Sequence, residues 1–334
     1  MLKFNTGLAA AVAAIAISTA APASAGELIA AYVNTVGPAG TGVRFLNPDF
    51  SVAGDSFATP GLANGLATGA NSIFGAFTAD HSLHRYSVAG TPQITELVNA
   101  DSTQGPLAFG ANKVFQAYSA GATSAVSAYN PDLTNAGLFF TVDSPVTGLA
   151  FGDNSLFVSF GATLQRRDLF GTILQSNTFS GIFESYALGS LAYGDGKLFM
   201  GYDRTVSMGS PDHRLGYLDP NHLTFNDSFA VADQVRGLAY GDGVLFASFE
   251  DNLRSYDAAG NQTGHLKTAI MGLGSYNGAL AYLPDRTCQA RVCDTPTRGA
   301  VPEPTTWALL ILGFGAAGAA LRAARRRQAA LSAA

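Results

Sequence analysis

Few side chains in this 334-residue sequence have types and spacings suited to chemistry: five histidines (His81, His84, His213, His222, His265), two cysteines (Cys288, Cys293) and a recurring aspartate (Asp153, Asp195, Asp242). The stretch "DHSLH" (80–84) sets two imidazoles three apart beside a carboxylate, the beginning of a metal site. Residues three apart on a strand point to opposite faces, however, and no further Cys or His lies close enough to complete tetrahedral ligation, so the stretch reads as a polar loop entering a strand. The three aspartates recur at one point of a repeat and invite calcium. Asn71 and Asn112 hold neighbouring positions in other copies, and all of these residues suit hairpin turns. G-x-S-x-G is absent, and "GFGAAG" (313–318) matches a dinucleotide fingerprint only inside an apolar run with no preceding strand. No catalytic residue, metal or cofactor is expected. Cys288 and Cys293, in "CQARVC", suit a local disulfide in an oxidising compartment, with free or intermolecular thiols as the alternative.

The elements that must carry these side chains are set by repetition. Five segments align without gaps: "GLATGANSIFGAF" (65–77), "PLAFGANKVFQAY" (106–118), "GLAFGDNSLFVSF" (148–160), "SLAYGDGKLFMGY" (190–202) and "GLAYGDGVLFASF" (237–249). A sixth, "ALAYLP" (279–284), begins the same way and stops. The shared leucines, Leu66, Leu107, Leu149, Leu191, Leu238 and Leu280, are spaced 41, 42, 42, 47 and 42 apart. Each unit reads as a hairpin about a Gly/Asp/Asn turn, a third strand ending in a turn ("VSAYNPD", 126–132; "LRSYDAAG", 253–260) and a fourth strand. Four strands in about 40–45 residues make a propeller blade. "ELIAAY" (27–32) matches a second strand without a first, and "ALAYLP" a first strand without a second. Together they complete one blade. An all-β, six-bladed propeller over 26–284, closed by pairing of the N- and C-terminal strands, is therefore expected; an open β solenoid is the alternative.

The form G-L-A-[FY]-G-[DA]-[GN]-x-[LVI]-F, followed by h-x-x-Y-[DN]-x-x-G, resembles NHL-like and related six-bladed propellers of bacterial secreted proteins over most of 27–284. Some six-bladed propellers are calcium-dependent lactonases with carboxylates and asparagines facing the channel. The first strands here, "LATG", "LAFG" and "LAYG", offer aliphatic and aromatic side chains instead. The resemblance thus implies architecture and not that activity.

Both ends read as addresses. Residues 1–25 carry Lys3, an apolar core over about 7–17 and the small-residue site Ala23-Ser24-Ala25, as in a secretory signal peptide cut by signal peptidase between Ala25 and Gly26; a buried helix is the alternative. After a polar linker (285–300), residues 305–321 are uncharged, and a transmembrane helix over about 305–324 is expected, with Trp307 at one interface. Arg322, Arg325, Arg326 and Arg327 would stop transfer and hold 328–334 in the cytoplasm, leaving the propeller in the periplasm. The order Pro302-Glu303-Pro304, Trp307, apolar helix and arginine cluster closely resembles the PEP-CTERM sorting signal over 301–327. That resemblance implies an exported protein of an exopolysaccharide-producing Gram-negative bacterium, with an exosortase as partner acting near the PEP motif and a destination in the envelope, matrix or biofilm. An unprocessed single-span anchor is the alternative.

With 47% hydrophobic and 13% charged residues and 38 glycines, the chain suits a folded β protein. All 24 acidic residues lie within 27–303 together with 14 of the 19 basic ones, so the exported body is about ten charges negative. That excess repels nucleic acid and anionic lipid. A propeller that binds a glycan or protein, or serves structurally, is the expected function; a lyase or hydrolase acting on extracellular glycan is the alternative.

Overall fold

In a computed structural model of the chain the described residues are 26–284, apart from 35–39, 54–55, 99–101, 181–183, 207–209, 251, 258 and 268–277. The chain divides into the compact units Met1–Thr287 and Cys288–Ala334, and every described residue belongs to the first. The leader, the cysteine pair, the linker and the sorting segment with its expected transmembrane helix lie outside the described residues. Among the described residues no helix is long and apolar enough to cross a membrane.

Among the described residues twenty-four strands form six four-stranded sheets. Blade 1 runs from Ala63–Gly69 to Pro92–Leu97, blade 2 from Thr103–Gly110 to Asn135–Val142, and blade 3 from Val146–Gly152 to Ile173–Thr178. Blade 4 runs from Glu184–Gly194 to Thr224–Ala230 and blade 5 from Gly237–Gly241 to Gln262–Lys267. Blade 6 joins Leu280–Leu283 to Glu27–Asn34, Gly40–Leu46 and Phe57–Thr59, with Leu28 opposite Tyr282 and Ala30 opposite Leu280. Consecutive first strands pack against one another, and the last packs against the first, so the ring is closed. The longer leucine spacing before blade 5 reflects the extended hairpin of blade 4, whose strands Glu184–Gly194 and Lys197–Val206 are 11 and 10 residues long.

Each position of the repeat has a physical task. The first hairpins turn on two residues of positive φ: Ala70-Asn71 (49°, 55°), Ala111-Asn112 (48°, 55°), Asp153-Asn154 (46°, 51°), Asp195-Gly196 (48°, 70°) and Asp242-Gly243 (48°, 78°). These are the signs a type I′ turn requires, and such turns match the twist of the flanking strands. The six repeated leucines stand around the channel axis, each no more than 6% exposed, and plug it. Burying each stabilises the fold by about 1.5–3 kcal/mol. The aromatic two residues later lies flat on a phenylalanine of the preceding blade at five junctions: Phe74–Phe109, Phe115–Phe151, Phe157–Tyr193, Phe199–Tyr240 and Phe246–Tyr282, with centroids 4.9–5.8 Å apart and planes within 14°. The glycine after the aromatic provides the surface on which the next ring rests; a Cβ on Gly152 would lie 2.0 Å from Tyr193. At the sixth junction Thr68 replaces the aromatic and donates from Oγ1 to the Tyr282 carbonyl at 2.5 Å.

The blades alternate in kind. Before the leucine, blades 1, 3 and 5 read Asn64-Gly65, Thr147-Gly148 and Arg236-Gly237, whereas blades 2, 4 and 6 read Gly105-Pro106, Gly189-Ser190 and Gly278-Ala279. Close approach explains the first set, since a Cβ on Gly65, Gly148 or Gly237 would come within 2.6 Å of the carbonyl of Gly105, Gly189 or Gly278. Outer turns alternate too. Blades 1, 3 and 5 place Gly90, Gly171 and Gly260 at positive φ, where blades 2, 4 and 6 place Leu133, Leu223 and Phe50. These three apolar residues are buried against the preceding blade: Leu133 in one core with Phe74, Leu223 with Phe157, and Phe50 with Phe246. The propeller is therefore three blade pairs arranged in a ring.

Candidate functional site

The first strands place Leu, Ala and an aromatic or Thr68 along the channel, so its polar side chains are Thr68 and the tyrosines Tyr193, Tyr240 and Tyr282, with no charged group among its lining residues. Polar side chains gather at the mouth where these strands begin. Asn64, Thr147 and Arg236 come from the odd blades, and Ser190 from blade 4. Asn64 Nδ2 is engaged, donating to the Gln104 carbonyl at 2.8 Å and to Thr78 Oγ1 at 2.6 Å. Thr147 Oγ1 bonds Ser159. Ser190 Oγ is buried without a hydrogen-bond partner. Arg236 is exposed, and no carboxylate partner for it is found among the described residues.

From the mouth a groove of about 280 Å³ runs outward between blades 4 and 5, lined by Thr147, 187–190, 201–203 and 234–236. Asp203 on its wall is held at both oxygens: His213 Nδ1 lies 2.6 Å from Oδ1, and Gln234 Nε2 donates to Oδ2 at 3.0 Å. Beside it Asp212 accepts from Arg214 at 2.9 Å and Arg204 at 3.0 Å. Hydrogen bonding from Arg214 outweighs partial desolvation and, with Arg204, holds the Asp212 carboxyl below its usual range. Arg236 is thus the cation of this site left for a ligand, with Ser190 and Gln234 as neutral partners.

Of the sequence candidates only His213 reaches this groove, through Asp203; the others among the described residues lie elsewhere. His81 adopts a φ of 53° in a turn, its Nδ1 3.1 Å from the Ser102 carbonyl. His84 lies in strand Ser82–Ser87, with Nε2 3.0 Å from Asp80 and Nδ1 3.0 Å from Thr95. Burial raises the Asp80 carboxyl, but hydrogen bonds from Ser82 and His84 prevail and hold it low. His222 pairs with Asp219 at 2.6 Å, and His265 is exposed on strand Gln262–Lys267. No three His, Cys, Asp or Glu side chains among the described residues are grouped to hold a metal ion.

The recurring aspartates do more than turn the chain. Asp195 Oδ2 accepts from the Tyr240 hydroxyl at 2.5 Å, and Asp242 Oδ2 accepts from the Tyr282 hydroxyl at 2.7 Å. Burial, followed by the Asp195 carboxylate, pushes the Tyr240 hydroxyl above its ordinary pKa; burial first and then the nearby Asp153 raise that of Tyr193, whose buried hydroxyl makes no hydrogen bond among the described residues. The pattern is visible in the sequence: Tyr193, Tyr240 and Tyr282 follow repeats with Asp153, Asp195 and Asp242, whereas Phe109 and Phe151 follow repeats with Ala70 and Ala111.

The fold is that of a six-bladed propeller, and residues 300–327 match the PEP-CTERM protein-sorting motif. This chain carries that exosortase-directed export signal on a propeller body. A Bacteroides caccae protein of unknown function is similar in structure at 13% identity and a TM-score of 0.57, over 78% of this chain and 99% of that one. A chain of a nidogen/laminin complex is similar at 12% identity and a TM-score of 0.59, again over 78% and 99%. These likenesses show the fold alone. No curated protein matches the chain significantly.

Proposed function

We propose that this chain is an exosortase-processed envelope or extracellular-matrix protein whose propeller binds acidic glycan at the channel mouth. The carrying observation is Arg236, a cation with no carboxylate partner among the described residues on a body about ten charges negative, beside the Ser190 Oγ, which has no hydrogen-bond partner among those residues, and the 280 Å³ groove. A carboxylate offers Arg236 a bidentate partner, and sugar hydroxyls suit Ser190 and Gln234. The biofilm and exopolysaccharide setting implied by the PEP-CTERM signal supplies such polymers. Export through the inner membrane, removal of 1–25 by signal peptidase, a membrane-held helix at about 305–324, a Cys288–Cys293 disulfide and cleavage near Pro302-Glu303-Pro304 complete this reading.

Binding of the purified propeller to a polyuronate and to a neutral glucan, measured by calorimetry, tests it. Preference for the polyuronate, with a loss of about tenfold or more in Arg236→Gln, is expected, since a charge-assisted hydrogen bond contributes about 1.5–3 kcal/mol. Equal binding of both polymers, or an unaffected variant, contradicts it. The Asp203–His213 pair favours a second reading, acid–base cleavage of the same glycan, and polymer shortening that Asp203→Asn abolishes would establish it.

A further inference from the structure

Gly26 is buried at the start of the strand that closes the ring. Its backbone nitrogen donates to Asp242 Oδ2 at 3.1 Å, and the same oxygen accepts from the Tyr282 hydroxyl at 2.7 Å. There is no room for a side chain: a Cβ on Gly26 would lie 2.5 Å from the Tyr282 hydroxyl and 2.7 Å from the Leu283 carbonyl. Asp242 belongs to blade 5, and Tyr282 to the strand against which the N-terminal strand pairs, so this contact ties the chain's two closing strands to the neighbouring blade. Glu27 follows on the same strand, opposite Leu283.

We propose that leader removal between Ala25 and Gly26 makes the Gly26 α-amine a structural cation, bound to Asp242, that locks the closing strand of the ring. The inference rests on the export reading. Hydrolysis of the peptide bond adds one water, leaving Ala25 with a carboxylate and Gly26 with an α-ammonium. A neutral amide donor is thereby exchanged for a charged one at an oxygen already in place, and charge-assisted hydrogen bonds are roughly twice as strong as neutral ones. A free α-amine has a pKa of about 7.7–8.0, and a carboxylate partner raises it in the folded state. The contribution is therefore fully present below about pH 8 and lost as pH rises through the higher folded value. Asp242 and the Tyr282 hydroxyl are the titratable groups at the amine, and Glu27 is its neighbour along the chain.

The test compares the chain beginning at Gly26 with the same chain bearing Ala25 as one extra residue, each with and without Asp242→Asn. Asparagine tolerates positive φ, and Ala70 and Ala111 hold the position equivalent to 242 at 49° and 48° without a carboxylate, so the variant is expected to fold. The Gly26 form is expected to melt about 2–4 °C higher at pH 6–7, with the gap closing by about pH 10 and vanishing in Asp242→Asn. Equal melting, or a gap that ignores both pH and Asp242→Asn, overturns the pairing. N-terminal sequencing of the protein after cell fractionation separates the two readings: a first residue other than Gly26 on the exported protein overturns this inference while leaving export intact, and confinement of the chain to the cytoplasm defeats export itself.

Discussion

Gly152→Val is expected to lower the melting temperature by at least about 6–12 °C. The substituted Cβ would lie 2.0 Å from Cδ1 of Tyr193, whose ring is stacked on Phe157 at 5.6 Å with planes 9° apart. Strand and ring cannot both remain in place, so a junction repeated around the propeller must open. Overpacking costs about 1–3 kcal/mol, and displacing a buried aromatic contributes further, so the total is about 3 kcal/mol or more. In a domain of this size each kcal/mol shifts the melting temperature by about 2–4 °C. Gly196→Ala separates space from backbone strain: Gly196 has a φ of 70° with nothing within 4 Å of an added Cβ, and its substitution should cost only about 1–2 kcal/mol. Calorimetric melting of the two variants checks the order; equal losses would deny the aromatic its resting surface.

The second large effect concerns closure. A chain ending at Ala279 lacks Leu280–Leu283, whose four residues are all buried and whose backbone pairs with residues 27–30. Its removal uncovers Leu28 and Ala30, both 0% exposed in the closed ring, and takes one leucine from the axial plug. Two leucines and a tyrosine at about 1.5–3 kcal/mol each approach the whole 5–15 kcal/mol by which a domain is stable. The cooperative melting transition should therefore be lost. A chain ending at Pro284 keeps the strand and should melt close to the full-length protein, checked by circular dichroism. A cooperative, unshifted transition in the shorter chain would mean that the ring does not depend on its closing strand.

Much of this fold can be read from the sequence because blades repeat their constraints. A turn that needs positive φ recruits Asn, Asp or Gly, and a ring that needs a flat seat recruits Gly one residue after the aromatic. The same repetition hides what differs between blades. Asn64-Gly65 against Gly105-Pro106, and Gly90 against Leu133, read as noise around a consensus, yet they define alternating junctions and a ring of three pairs. The Asp–Tyr partnership was equally visible, but its partners stand in successive repeats, and comparison of copies at one position does not reveal it. The channel-mouth groove was least legible. Asp203, Gln234 and Arg236 are departures from the repeat, and they meet Thr147 and Ser190 where four separate segments line one groove beside the extended strands of blade 4.

Mass spectrometry of the mature protein from wild-type and exosortase-deficient cells tests most directly that the C-terminal segment is an address that is read and removed. Peptides containing Arg325-Arg326-Arg327 should be absent from the envelope and extracellular protein of wild-type cells and present in the deficient strain. An intact arginine tail on the wild-type mature protein would contradict the account.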